Sequence, residues 1–584
     1  MKRKGAKVVI DAILNEGIDV VFGVPGGAVL DIYDELYDSE LRHILMKHEQ
    51  CAAHAADGYA RVSGKTGVIF ATSGPGATNI ITGLVNAQMD SVPIVAITGQ
   101  VPTHQIGKDA FQEADTYGLS IPITKHSYQV RNVDILPETI KSAFTIANTG
   151  RRGVVLIDLP KDIQNKITKK KYPNKVAFKG YEPDNTPKKD LINICVDILK
   201  SAERPVILAG GGIITSNAEK ELKILSDMLG APVCTTLMGK GAFPENNPLS
   251  LGMAGHHGKY SANFSIRESD VFIAIGTRFS DRTTGWKLSD FAPNAVKIHL
   301  DIDNAEINKN IEMDLAIIGD AKQTLTLIIE LLKKEEKKQN QRWITKATEM
   351  HKACSNCTKY FNESFPLKPE RVIKELNDIL DDDAIVTTEV GQTQMCAAHY
   401  YITKKPRTFI SSGGLGTMGF GFPAAIGAQV AAPDKTVVDI AGDGSFLMTS
   451  QDLATAVKYD IPVITVVFNN SYLGMVRQWQ EFFYDGRYSE TDLEDHLPDF
   501  VKYAESFGAY GEEISKAGEL KEAFKNAQDS GKPAVINVKI EKSSNIFPMI
   551  PPGGGLSDMI GLQDCLASKS GIKKMWSESK WRRI

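Results

Sequence analysis

Short, almost purely apolar runs recur along the chain, separated by longer stretches with helical periodicity. VVFGV, GVIFATS and VPIVAITG fall in the first part, PVILAGG, APVCTT, VFIAIG and VKIHLDID in the second, and AIVTTE, TVVDIAG and PVITVVFNN in the third. These runs are continuous rather than alternating, the pattern of strands covered on both faces, as in parallel sheets. The β–α–β alternation predicts an α/β fold built of three doubly wound parallel-sheet domains. Two polar, charge-rich stretches, KITKKKYPNKVAFKGYEPDNTPKKD (166–190) and KKEEKKQNQRW (333–343), read as linkers or solvated faces. The expected domains are therefore 1–165, 190–332 and 365–545, with a capping segment and tail over 546–584. No short internal repeat or low-complexity tract interrupts them.

Composition narrows the function classes. With 42% hydrophobic and 24% charged residues and a net charge of −4, the chain reads as an ordinary globular protein. It has no basic footprint for nucleic acid and no patch for an anionic membrane. The first stretch, MKRKGAKVVIDAILNEGIDVVFG, starts basic, but Asp11 and Glu16 break its apolar run, against a signal peptide. No stretch approaches the roughly 18 uninterrupted apolar residues of a membrane span, and a cytoplasmic protein is expected. Seven scattered cysteines form no disulfide framework. Cys354 and Cys357 make one C-x-x-C pair, with His351 upstream but no second pair, so a metal or redox role is not favoured. His256-His257 has no metal-box spacing either.

One segment asks for a chemical explanation: GDGSFLMTSQDLATAVKYDIPVITVVFNN, residues 442–470. TVVDIA reads as a strand, TSQDLATAVKYD as a helix and PVITVVF as a second, parallel strand. Asp443 and Asn470 then leave the sheet at the same carboxyl edge, where open α/β sheets bind ligands. A carboxylate and an amide oxygen converging there are hard ligands suited to Mg²⁺, which takes its remaining ligands from water and a substrate phosphate. Gly442 and Gly444 let backbone N–H groups approach a diphosphate at the start of the next helix. The plainer alternative is an ordinary strand-end loop. A competing pattern, Gly414-x-Gly416-x-x-Gly419 with Asp439 beyond it, imitates a dinucleotide fingerprint. Asp439, however, falls inside a strand rather than at its end, and the paired Asn would stay unexplained.

GDG followed one βα unit later by NN is also the signature of thiamin-diphosphate-dependent enzymes. Glu49 in KHEQCAAHAADGYAR and the glycine loop SGPGATN (73–79) add two further marks of that family. With GQVP, DAFQE, LPKDIQ, GTRFSDR, HLDID, GLGTMGFG and MVRQWQ, the match runs in order from residue 5 to about 560. The chain resembles the catalytic large subunits of the acetohydroxyacid synthase (acetolactate synthase) family. The resemblance implies decarboxylation of pyruvate and transfer of its two-carbon fragment to a second 2-oxoacid. Pyruvate as acceptor gives 2-acetolactate and 2-oxobutyrate gives 2-aceto-2-hydroxybutyrate, the first common step towards valine, leucine and isoleucine.

The same resemblance assigns residues. Glu49 matches the carboxyl that bonds the cofactor's aminopyrimidine ring, reaching a cofactor held by another subunit, so a homodimer is the smallest active unit and a tetramer is open. Asp443, Asn470 and the backbone oxygen of Tyr472 match the Mg²⁺ ligands. Val390, Gly391, Gln392, Thr393, Gly416, Gly444, Ser445 and Met475 match the thiamin diphosphate site, and Met418 the apolar wedge beneath that cofactor. Arg282 and Trp479 resemble the pair that reads the acceptor; Gln112, Lys161 and Gly27 match residues near the substrate channel. A middle FAD site is implied, formed by Gly210, Gly211, Gly212, Thr236, Leu237, Met238, His257, Gly276, Arg278, Asp301, Ile302, Glu306 and Asp320, with Phe111 and Arg151 from the first domain. Arg278 and Arg282, in the RF-x-DR element, favour the anabolic, FAD-containing type, and Glu49 speaks against glyoxylate carboligase. A small regulatory subunit is also implied. The chain departs from the family at GQTQMC, where Thr393 and Cys396 replace the usual residues, and at Ser280; Pro552 lies in the capping segment, and the basic end SKSGIKKMWSESKWRRI matches nothing in the family. A pyruvate oxidase, another 2-oxoacid decarboxylase or carboligase, and a non-catalytic paralogue are the alternatives.

Overall fold

The computed structural model describes residues 2–561, apart from 182, 184, 334–338 and 356–364. The C-x-x-C pair, part of the second linker and the basic end 568–584 therefore lie outside the residues whose side chains are described.

Three six-stranded sheets carry the fold, and every pairing within them is parallel. The first sheet holds β1 (Val20–Gly23), β2 (Arg42–Leu45), β3 (Gly67–Ala71), β4 (Ile94–Gln100), β5 (His126–Gln129) and β6 (Val154–Pro160) in the order β2-β1-β3-β4-β6-β5. The second holds β7 (Pro205–Ala209), β8 (Val233–Thr235), β9 (Ser250–Met253), β10 (Val271–Ile275), β11 (Val296–Asp301) and β12 (Leu315–Ile318), ordered β9-β8-β7-β10-β11-β12. The third holds β13 (Ile385–Thr388), β14 (Phe409–Ile410), β15 (Val437–Gly442), β16 (Ile464–Asn469), β17 (Tyr510–Ile514) and β18 (Ala534–Lys539), ordered β14-β13-β15-β16-β18-β17. The expectation of three parallel α/β sheets holds, and β3, β4, β6 and β10 are buried along their whole length, as their continuous apolar runs require. The outer sheets share one strand order, while the middle sheet has the 3-2-1-4-5-6 order of dinucleotide-binding folds.

The outer domains meet through two helices. Glu49–Ser63 is capped at its start by the His48 side chain, which accepts from the Gln50 N–H, and ends on left-handed Gly64. It crosses Gly421–Ala431 so closely that a Cβ on Gly58 would lie 2.1 Å from the Ala424 oxygen, and one on Gly427 1.8 Å from the Ala55 oxygen. Only glycine permits that approach. The middle domain is tied to the third by Lys240, buried and bonded to Glu245 and to the Tyr401 carbonyl at 2.8 Å. Among the described residues no helix is long and apolar enough to cross a membrane.

The segment after β15 differs from the single helix expected. GDGSF itself turns into a short helix, Asp443–Phe446, and a 3-10 turn, Ser450–Asp452, precedes the helix Leu453–Lys458. The Asp452 carboxylate accepts from the Lys47 N–H and the Thr455 hydroxyl, so it serves the domain contact instead of a regular helix.

Candidate active site

The first and third strands of the third sheet, β13 and β15, lie side by side, and the chain leaves both at the same edge, where the strand order reverses. Gly391, with φ +128°, turns the chain after β13 directly into the helix Gln392–Tyr400. The positive end of that helix and the open backbone at Gly391 face a cavity of about 70 Å³. Its lining includes Val390, Gly391, Gln392, Thr393, Met418, Asp443, Gly444, Ser445, Asn470, Tyr472 and Met475.

Asp443 and Asn470 thus converge, 27 positions apart, from neighbouring strands β15 and β16. The Asp443 carboxylate accepts from the Gly444 and Ser471 N–H groups at 2.7 and 2.6 Å, and the Asn470 amide oxygen accepts from Tyr472 N–H at 3.1 Å. Burial pushes the Asp443 carboxyl up to about 6, partly countered by those backbone donors. A buried acid beside a second hard oxygen is a donor set that suits Mg²⁺. Gln392 is held by Gln478 and the Ser544 carbonyl, at 2.9 and 3.0 Å. A Cβ on Gly474 would lie 2.2 Å from the Gln392 amide oxygen, so a larger residue there would push that side chain out of place.

A second, larger cavity of about 460 Å³ opens between the middle sheet and the other two domains. Arg151, Gly211, Gly212, Thr236, Leu237, Met238, His257, Gly276, Arg278, Asp301, Ile302, Glu306 and Asp320 line it, with Arg282, Val390 and Gly416. Gly210 lies behind the wall, its Cβ position 2.1 Å from the Gly276 oxygen, so it permits the tight strand-end crossing instead of facing the cavity. Arg151 reaches Glu306 at 2.7 Å and links the first domain to the middle one. Asp320 caps the helix Ala321–Leu332 and accepts from the Ser216 hydroxyl at 2.7 Å. The size, the glycine cradle at the β7–β10 edge and the cationic wall suit a dinucleotide.

The remaining residues gather at the carboxyl edge of the first sheet and line neither cavity of their own chain. The Glu49 carboxylate accepts from the Asn79 amide at 2.9 Å. Gly76 lies beside Glu49, and the backbone of Gln112 lies against Gly74. Gly27 and Gln112 are exposed, as is Phe111 at 89%, and Lys161 opens the turn after β6.

Trp479 and Arg282 come together through a residue for which spacing gave no signal. The His256 N–H donates to the Arg282 carbonyl at 2.7 Å, and its ring stacks on Trp479 with centroids 6.2 Å apart. Burial pushes its imidazole down to about 4, so it is neutral, and both ring nitrogens lack partners. Glu389 was missed as well: it precedes Val390, is fully buried, and accepts from Gly419 N–H, Phe422 N–H and the Ser445 hydroxyl. Asp439 is fully buried within β15, which removes the ribose contact of the fingerprint reading.

Family models for thiamine pyrophosphate enzymes match all three domains: the N-terminal TPP binding domain over residues 3–119, the central domain over 192–328 and the C-terminal TPP binding domain over 389–538. The chain is 50% identical over 566 residues, 95% of each chain, to a protein of Methanocaldococcus jannaschii named probable acetolactate synthase large subunit. It is 47% identical to a protein of the same name from Methanococcus aeolicus, covering 99% of this chain and 100% of that one. It is 45% identical to the Escherichia coli protein named acetolactate synthase isozyme 3 large subunit, over 95% of this chain and 98% of that one.

Proposed function

The chain belongs to the thiamine pyrophosphate enzyme family, in the branch of the acetolactate synthase large subunits, and on that premise we propose how its residues divide the work. It makes acetolactate from pyruvate, and with 2-oxobutyrate as acceptor it makes 2-aceto-2-hydroxybutyrate, serving branched-chain amino-acid synthesis. The observation that carries the assignment is the convergence of Asp443 and Asn470 in a glycine-walled cavity at a helix start.

Asp443, Asn470 and the Tyr472 backbone oxygen hold Mg²⁺; the turn at Val390, Gly391, Gln392 and Thr393, with Gly444 and Ser445, holds a diphosphate. Met418 and Met475 supply the apolar wall. When bound, thiamin diphosphate supplies the electron sink that decarboxylation of a 2-oxoacid needs. Glu49 holds and moves a proton at the aminopyrimidine ring nitrogen, a relay worth about 10²–10⁴ in rate. Arg282 fixes the acceptor's carboxylate by a charge-assisted fork while the Trp479 ring packs its alkyl group. Gly211, Gly212, Gly276, Arg278, Asp301 and Asp320 would hold FAD in the large cavity through its phosphates and ribose. Gln112, Lys161 and Gly27 border the substrate channel, and Phe111 belongs with Arg151 to the FAD site.

Glu49 lines neither cavity of its own chain, which supports a partner subunit supplying it and a homodimer as the smallest active unit. A tetramer and a small regulatory subunit are compatible additions. The free thiols of Cys51, Cys195, Cys234 and Cys396 suit the reducing cytoplasm, where we place the protein.

Mixing two inactive variants tests the shared site. Glu49→Gln and Asp443→Ala homodimers should each make no acetolactate. After exchange of subunits, the mixed dimer carries one site with both residues intact and should recover up to about a quarter of wild-type activity in an equal mixture, since half the dimers are mixed and each holds one good site. No recovery after proven exchange would place Glu49 and Asp443 in one chain's site.

A further inference from the structure

Behind the diphosphate cavity, two carboxyl groups are buried together. Glu389 directly follows β13 and Asp439 sits inside β15, and both are fully buried. One Glu389 oxygen accepts from Gly419 N–H at 2.7 Å and from the Ser445 hydroxyl at 2.6 Å; the other accepts from Phe422 N–H at 3.1 Å. Gly419 and Ser445 belong to the glycine loops GTMGFG and GDGS, whose Met418 and Ser445 line the cavity, and Phe422 stands at the start of the helix Gly421–Ala431. Asp439 accepts from the Thr387 hydroxyl at 3.0 Å, and its second oxygen has no partner. Gly421 lies against both: a Cβ there would be 2.4 Å from an Asp439 oxygen and 2.7 Å from the Glu389 nitrogen.

No counter-charge from the described residues is among the principal influences on the pair. From the helix Glu49–Ser63 the titratable group that feels Glu389 is the Cys51 thiol, beside Asp452. From the strands and loops, the groups acting on the pair are Thr387, Ser445 and backbone N–H donors. Among the described residues, no lysine, arginine or histidine is among the principal influences on either carboxyl. Two buried carboxylates in that setting cannot both ionise near neutrality. Burial and mutual repulsion push Asp439 upward, and burial pushes Glu389 upward. Glu389, with three donors aimed at it, is the acceptor; the free Asp439 oxygen is where a proton can stay.

We propose that Glu389 and Asp439 are a positioning pair that holds one proton, fixes Ser445 and the loop carrying Met418 and Gly419 beside the diphosphate cavity, and must keep that proton for an anionic diphosphate to bind tightly. The inference rests on the thiamin diphosphate reading above. The sign follows from the raised carboxyls. As pH rises and the pair loses its proton, a second negative charge appears behind the anion, so affinity falls and binding takes a proton up.

The test is calorimetric titration of the purified protein with thiamin diphosphate at saturating Mg²⁺ between pH 7 and 9, in two buffers of different ionisation enthalpy. Wild type, Asp439→Asn and Glu389→Gln are compared, each checked for native circular dichroism. Wild-type affinity should weaken with pH, by at most about tenfold per unit, with net proton uptake. Asp439→Asn should lose that slope and that uptake, the comparison cancelling protons exchanged by the diphosphate itself. Glu389→Gln should bind at least about tenfold more weakly at pH 7, because its amide N–H₂ must face a donor where a carboxylate oxygen accepted. Wild-type binding that is flat in pH without proton uptake, or a slope and uptake unchanged in Asp439→Asn, overturns the pair, and the wild-type result decides even if a variant does not fold. Absence of binding at every pH would overturn the cofactor reading itself.

Discussion

Gly427→Ala isolates the contact that joins the two outer domains. Alanine has the higher helix propensity by about 1 kcal/mol, so at an open helical site the change would stabilise. Here the added Cβ falls 1.8 Å from the Ala55 carbonyl oxygen, 2.6 Å from its carbon and 2.9 Å from the Tyr59 nitrogen. All three atoms are backbone, so no rotamer change relieves the clash, and the two helices must part by more than about 1 Å before the contact becomes ordinary. Overpacking of this kind costs about 1–3 kcal/mol or more, which exceeds the propensity gain. The moved helices matter for chemistry, because one begins at Glu49 and the other follows the Met418 loop. A misplacement near 1 Å can cost on the order of 100-fold in rate. Urea unfolding should show a loss of up to about 2 kcal/mol, the overpacking cost net of propensity, and acetolactate formation should fall at least about tenfold. A Gly427→Ala variant as stable and as fast as wild type would refute the view that glycine sets this crossing.

Four further outcomes follow from particular side chains. Lys240→Met leaves Glu245 buried without its cation and should destabilise by about 3–5 kcal/mol, read by urea unfolding; Lys240 is only 1% exposed in its side chain. Asp443→Asn should raise the Mg²⁺ concentration needed for half activity by at least about 100-fold, because a charged ligand becomes neutral. Arg282→Lys keeps the charge but loses the fork, so the KM of the acceptor should rise about tenfold or more with decarboxylation little changed. Trp479→Ala should lower the preference for 2-oxobutyrate over pyruvate in competition by up to about tenfold, the worth of packing one methylene against a ring.

The sheets were legible because parallel strands buried on both faces must be continuous apolar runs, and β15 and β16 read correctly on that ground alone. The convergence of Asp443 and Asn470 was legible because a βαβ unit has only one carboxyl edge. Strand order was not, since nothing in TVVDIAG or PVILAGG says which neighbour a strand takes; the shared order of the outer sheets and the different order of the middle one came only from the structure. The single helix read over TSQDLATAVKYD was interrupted at Ser450–Asp452 because Asp452 bonds Lys47, far away in sequence. His256 and Glu389 escaped for the same reason. One looked like half of a His-His dipeptide and the other like a strand-end acid, and only the fold brings them to Trp479 and to Ser445.

The most direct measurement of the central claim is product analysis with pyruvate, alone and with 2-oxobutyrate, on purified protein with thiamin diphosphate, Mg²⁺ and FAD, beside Glu49→Gln. The account predicts 2-acetolactate from pyruvate alone, 2-aceto-2-hydroxybutyrate in the mixed reaction, and collapse of both in the variant. Acetaldehyde, acetate or reduced flavin as the main product would contradict it.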